Sequence, residues 1–165
     1  MKKLIVVLFV FLNISLFGQA RLNISSGSSV NFYFNSYQKY VSGISYNNFT
    51  TLSINYQDTN TVAPFYTHWR LDCKALTPTI NGDAGNTLNL NYIELQATGA
   101  GTPSVPAIQA LSSSDVTLLN QAVETAAGSP VTVFISYYCG VTNSLLGKNQ
   151  DYYVVDILFT LMGEN

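Results

Sequence analysis

From His68 to Ala75, residues of two kinds alternate strictly: His68, Arg70, Asp72 and Lys74 interleave with Trp69, Leu71, Cys73 and Ala75. A period of two is the side-chain period of a β-strand, whereas a helix would scatter both sets around its circumference. The segment reads as a strand that turns Trp69, Leu71, Cys73 and Ala75 to a core and its charged residues outward. Thr51 to Tyr56 repeats the pattern, with Leu52, Ile54 and Tyr56 on one face and Ser53 and Asn55 on the other. Leu88-Asn89-Leu90-Asn91-Tyr92 does so again, and Ile93-Glu94-Leu95 continues in the opposite phase, which predicts a β-bulge at Tyr92-Ile93. Two later runs, Val131 to Cys139 and Tyr152 to Leu161, alternate over nine and ten residues. The second adds Phe159 to Trp69 and Leu71 as an expected core residue.

Turn chemistry separates these runs: Asn81-Gly82-Asp83-Ala84-Gly85-Asn86, Gly99 to Pro106, Gly128-Ser129-Pro130 and Gly140 to Asn149. One stretch, Ser114 to Ala126, has Leu118, Leu119, Ala122 and Val123 at helical spacing behind a capping Ser114 or Asp115, and predicts a short helix. With no further helices to carry parallel crossovers, the strands predict an all-β fold, an antiparallel two-sheet β-sandwich with at most one short helix. A closed barrel is the alternative. Aromatic residues make up 13% of the chain, as suits pleated, half-buried surfaces.

The first twenty residues predict where such a domain works. Lys2-Lys3, an apolar run from Leu4 to Phe17 and Gly18-Gln19-Ala20 have the form of an export signal, too short for a bilayer span and cleaved after Ala20. Residues 21–165, about 145 residues, then form one domain of ordinary size. No later apolar stretch predicts membrane insertion. That mature chain keeps five basic and nine acidic side chains, a formal charge of −4 that argues against a nucleic-acid partner.

Little in the chain points to catalysis. Cys73 and Cys139 both fall on core-facing strand positions in an exported protein, which predicts a disulfide between them contributing on the order of 4 kcal/mol in the chain-entropy model; the alternative is two buried thiols behaving as small apolar groups. His68, the only histidine, falls on the outer face of its strand, and no Gly-x-Ser-x-Gly turn presents a nucleophile. Asp72, Glu94 and Asp156 read as outward, solubilising strand residues. Asn81 to Asn86 has oxygen ligands at alternate positions but lacks the later bidentate Glu of a calcium loop, and reads as a hairpin turn. The expectation is a non-enzymatic protein with no cofactor and no metal. The Tyr-rich segment Phe32 to Tyr56 offers flat rings suited to sugar stacking, and core packing is their other use.

Trp69-Arg70-Leu71, the Leu-Asn-Leu strand and the late Tyr-rich strand resemble the WxL-type and fimbrial-subunit-like β-sandwiches of bacterial surfaces, although Phe159 stands where a second Trp is usual. The signal ending Phe17-Gly18-Gln19-Ala20 and the Asn/Tyr/Ser-rich composition are similar to exported proteins of Bacteroidetes. The resemblance implies an immunoglobulin-like or fimbrial-like sandwich located in the periplasm, at the cell surface or outside the cell. It implies a structural or adhesive role, or that of an accessory subunit of an envelope assembly with protein partners. The rival reading is a soluble carbohydrate-binding module with a glycan partner. Arg21 to Phe34 is long and weakly charged, with Leu22, Ile24, Val30, Phe32 and Phe34 spaced along it, and is expected to join a partner by β-strand addition or to fold back into its own sheet.

Overall fold

The computed structural model describes residues 20–58, 65–99, 107–125 and 129–164, so the expected export signal, save Ala20, lies outside the described residues. In chain order the elements are β1 (Ala20–Ser26), α1 (Tyr37–Ser42), β2 (Ile44–Tyr56), β3 (His68–Ala75), β4 (Thr79–Gly82), β5 (Thr87–Asn89), a 3-10 turn (Leu90–Tyr92), β6 (Ile93–Gly99), β7 (Gln109–Ala110), β8 (Val116–Val123), β9 (Val131–Cys139), β10 (Tyr153–Val154) and β11 (Ile157–Glu164). Every strand pairing is antiparallel. One layer is a five-stranded sheet in the order β1-β2-β9-β6-β7; the other is β11-β3-β8, followed by a smaller sheet β10-β4-β5. Because β4 follows β3 and β10 precedes β11, the small sheet carries the same two chain runs onward past a break. Leu76 N–H donates to Asp156 O across that break, at 3.0 Å.

The alternation read from the sequence places the core. Leu52, Ile54 and Tyr56 of β2, Leu95 and Ala97 of β6, and Val133, Ile135 and Tyr137 of β9 are buried with Trp69, Leu71, Cys73 and Ala75 of β3 in one apolar cluster. Each large aliphatic or aromatic side chain withdrawn from water in this way contributes about 1.5–3 kcal/mol before entropy is charged against it. Trp69 is 1% exposed and Leu71 fully buried, as expected; Phe159 is half-buried and packs against the cluster from β11. The fold is an all-β, sandwich-like one.

Four expectations are corrected. Residues 116–123 form a strand, β8, and not a helix. Its ladder with β3 contains two extra residues, between the partners of Trp69 and Leu71 and between those of Leu71 and Asp72, so adjacent Leu118 and Leu119 are both buried, with Ala122 three positions on. Two bulges thus imitate helical spacing. Among the described residues the one α-helix is α1, six residues long, where Ser36 caps the N-terminus by accepting from Lys39 N–H. The phase change after Leu90 is made by the 3-10 turn, which passes the chain from the small sheet to the five-stranded one; a bulge would have kept it in a single sheet.

Cys73 and Cys139 are both buried and unbonded, so the expected disulfide is not formed. Cys73 stands opposite Phe159 and Val116 in one layer, Cys139 opposite Ile44 and Ile93 in the other. Tyr137, one inward-facing position before Cys139 on β9, lies within electrostatic reach of Cys73. Burial pushes both thiols up to about 12. Asp72 is not a solubilising surface group either: it is 2% exposed, its carboxylate accepting from Arg70 Nε at 2.9 Å and from Thr117 Oγ1 at 2.8 Å.

Candidate functional site

Two neighbouring features stand at the N-terminal side of the described chain: the outer edge of β1 and a cleft beneath the segment that follows it. Strand β1 pairs with β2 from Ala20↔Tyr56 to Ile24↔Leu52, slips by one residue, and ends at Ser26↔Thr51. It is terminal in its sheet, and six of its seven residues are exposed, Leu22 being half-buried. Arg21 is its only charge and it contains no proline. Of the other edges, β5, β7 and β10 offer two or three residues each, β8 is interrupted by its bulges, and β11, eight residues long, is also terminal in its sheet.

At Gly27 the chain leaves the sheet with φ +70°, and a Cβ there would collide with the backbone carbonyl of Phe49. Residues 28–35 then run as a strap with no strand pairing, although Val30, Phe32 and Phe34 are half-buried and Ser29, Asn31, Tyr33 and Asn35 exposed, in strict alternation. Side chains hold its backbone instead. Thr50 Oγ1 donates to Gly27 O, Tyr46 O–H to Asn31 O at 3.1 Å, and Lys39 Nζ to Tyr33 O at 3.2 Å. Since the single Thr50 proton goes to Gly27 O, the 2.9 Å contact between Thr50 Oγ1 and Tyr137 is donated by the phenol. Burial raises the Tyr137 phenol above its ordinary value. Phe32, Tyr46, Phe49 and Tyr137 follow one another at ring separations of 5.2, 5.6 and 6.4 Å, a run of tilted and edge-on contacts from strap to core.

Beneath the strap is a cleft of about 690 Å³, within the size range of small-molecule sites. Its floor is apolar, from Ile80, Leu88, Ile93, Tyr137 and Cys139; its far wall is the loop Lys148 to Asp156 with Phe159 behind it. That loop is fastened to the turn between β4 and β5. The Asp151 carboxylate accepts from Asn86 Nδ2 at 3.0 Å and from the backbone N–H groups of Ala84 and Tyr152, and these donors hold it below the ordinary carboxylate value. Asn149 Nδ2 donates to Asn86 Oδ1 at 2.6 Å, and Lys148 Nζ lies 5.4 Å from the centre of the Tyr92 ring. The segment read as a hairpin turn, Asn81 to Asn86, does join the antiparallel strands β4 and β5, and it anchors one wall of the cleft.

Of the residues singled out in the sequence, Cys139, Asp156, Phe159, Ile24 and Val30 line this cleft; Trp69, Leu71 and Cys73 lie in the core, and His68 heads β3, its Nδ1 2.9 Å from Thr67 Oγ1. Phe32 and Phe34 of the Tyr-rich stretch reach it, as do Tyr92 and the segment 148–156, which the sequence marked only as strand and turn residues and not as parts of a site. Among the described residues no group of three or more His, Cys, Asp or Glu side chains is placed to hold a metal, and no helix is long and apolar enough to cross a membrane. No protein-family model matches the chain, nor does any curated protein.

Proposed function

We propose that the protein is an exported, non-enzymatic β-sandwich that serves as a structural or adhesive component of the cell envelope, or as an accessory subunit of an assembly there, joined to a protein partner by β-strand addition at β1. The observation that carries this reading is the edge itself. Seven residues of strand carry one charge and no proline, and beyond β2 they are hydrogen-bonded to no other strand among the described residues, although β11 passes close by. Edges left in this state pair with another chain unless something blocks them. On the expected cleavage after Ala20, Arg21 becomes the first residue of the mature chain, and a partner strand would meet no preceding segment.

The test places charge on the edge while leaving the inward contact of Leu22 intact. Asn23 and Ser25 are both exposed, so Asn23→Lys with Ser25→Lys leaves the core untouched. Light scattering and recovery of cross-linked envelope proteins are compared between the variant and the unaltered protein. Loss of the oligomer or of the recovered partners, with an unchanged melting temperature, is the expected result. Retention of both rejects strand addition at β1.

A further inference from the structure

We infer that the cleft beneath the strap is a binding site for a long-chain carboxylate, its hydrocarbon tail lying between the inward faces of the two flanking strips and its head group at Lys148. This site is independent of the β1 edge and stands whether or not that edge recruits a partner. Both strips alternate. On the strap Val30, Phe32 and Phe34 turn inward, and on the opposing segment Tyr153, Val155 and Ile157 do so, while the residues between them are exposed. These six side chains line the cleft, and each packs against the buried cluster yet stays only half-buried. Apolar groups turned into the molecule and not closed over leave an apolar slot of about 690 Å³ between them. A hydrocarbon that fills it removes from water the surface that the two strips do not cover for each other.

The hydroxyls on the inner side of the lining already have partners. Tyr137 donates to Thr50, Thr50 to Gly27 O, and Tyr153 O–H to Asn149 O at 3.0 Å. Among the described residues no buried side-chain nitrogen or oxygen lacks a hydrogen bond. A ligand hydroxyl or amide placed there would give up water without gaining a partner, whereas a methylene chain has no such bond to lose. Charge sets the head group. Lys148 is the one basic residue of the lining; its ammonium stands over the Tyr92 ring and makes no ion pair among the described residues. The two acidic residues of the lining are turned elsewhere: the Asp151 carboxylate is taken up by Asn86 and the backbone of Ala84 and Tyr152, and Asp156 holds an exposed, outward position on its segment. A carboxylate at the rim therefore meets an ammonium with a free valence for it. Entry breaks no strand pairing, because residues 28–35 pair with no strand.

Fluorescence titration of the full protein with cis-parinaric acid, followed by displacement with saturated fatty acids graded from decanoate to stearate, reads the site directly. The inference expects saturable uptake of one molecule per chain, each pair of methylenes removed from the competitor weakening it about tenfold. Val155→Trp and Val30→Trp fill the slot from opposite walls and should each weaken uptake at least about tenfold, thermal melts recording that the variants are folded. Lys148→Gln should weaken palmitate about fivefold and leave palmityl alcohol, which carries no charge, unchanged. A fatty acid bearing a photoreactive diazirine should tag peptides within residues 27–35 and 148–159, a reading that needs no variant. Asn23→Lys with Ser25→Lys should leave uptake unaltered, which separates this site from the β1 edge. Absence of uptake, uptake indifferent to chain length, or tags confined to other segments overturns the inference, as does equal affinity for palmitate and palmityl alcohol. Saturable binding of a peptide of residues 27–35 in place of any fatty acid would assign the cleft to a strand from a second copy and also overturn it.

Discussion

Trp69 and Asp72 lie on opposite faces of β3 and both are out of water, for different reasons. Trp69 fills the space between the layers, so Trp69→Ala is expected to cost about 3–5 kcal/mol in a denaturant melt, whereas His68→Ala, at a half-exposed position, is expected to fall within about 0.5 kcal/mol. Equal effects would mean that the phase of β3 is reversed. Asp72 is covered from the outside by Arg70 and by Thr117 of the adjoining strand; removing its carboxylate leaves both without their acceptor and is expected to cost about 1–3 kcal/mol. The inward face of β3 was legible because apolar and charged residues strictly alternate there. The burial of Asp72 was not, since it depends on a threonine 45 positions away. The thiols make a chemical prediction: neither Cys73 nor Cys139 is alkylated in the native protein at neutral pH, and both are alkylated after unfolding without reductant, as intact mass will record. Their raised values also fix a sign. The folded state holds the thiol protons up to about pH 12 and the unfolded chain releases them near 9.0, so between these values the native state binds more protons. The stability these thiols contribute is whole below about pH 9 and is lost as pH rises toward 12; replacing both by Ala should flatten that alkaline decline.

At the scale of elements, long alternating runs were legible and interruptions were not. β2, β3 and β9 appear in the sequence as strands because their inward positions are apolar over several consecutive turns of the pleat. β8 was hidden by two bulges that bring Leu118 and Leu119 to the same side, a pattern decided by how β8 registers against β3 and not by local propensity. The turn at Leu90–Tyr92 was read as a bulge because a sequence records a phase change without saying whether the chain changes sheet. Where β1 gives way to the strap, Gly27 takes a left-handed conformation against the backbone of β2; Gly85 has a similar φ of +84° with nothing within 4 Å of where a Cβ would stand. Gly27→Ala is therefore expected to destabilise by roughly 1–3 kcal/mol or more, and Gly85→Ala by only about 1 kcal/mol of backbone strain. Thermal melts of the pair measure the difference, and equal losses would remove the steric role assigned to Gly27.

For the whole molecule, composition and alternation foretold an all-β, sandwich-like fold, but the continuation of one layer into a third sheet was not visible, because the break between β3 and β4 and that between β10 and β11 are single events in distant segments. The cleft was equally out of sight: its two flanking strips, near residues 30 and 150, meet only after the strands between them have paired. Its apolar floor is ordinary core, and only the side chains on the strips are specific to it. The proposed role in assembly depends on β1 remaining an open edge in the isolated protein. Amide hydrogen exchange, read by mass spectrometry on the isolated protein and on the same protein within its native envelope assembly, tests this most directly. Residues 20–26 should exchange as a lightly protected edge in isolation and gain protection in the assembly, with the central strands β3 and β9 protected in both. Unchanged exchange in residues 20–26, with new protection appearing instead along β8 or β11, would contradict the account.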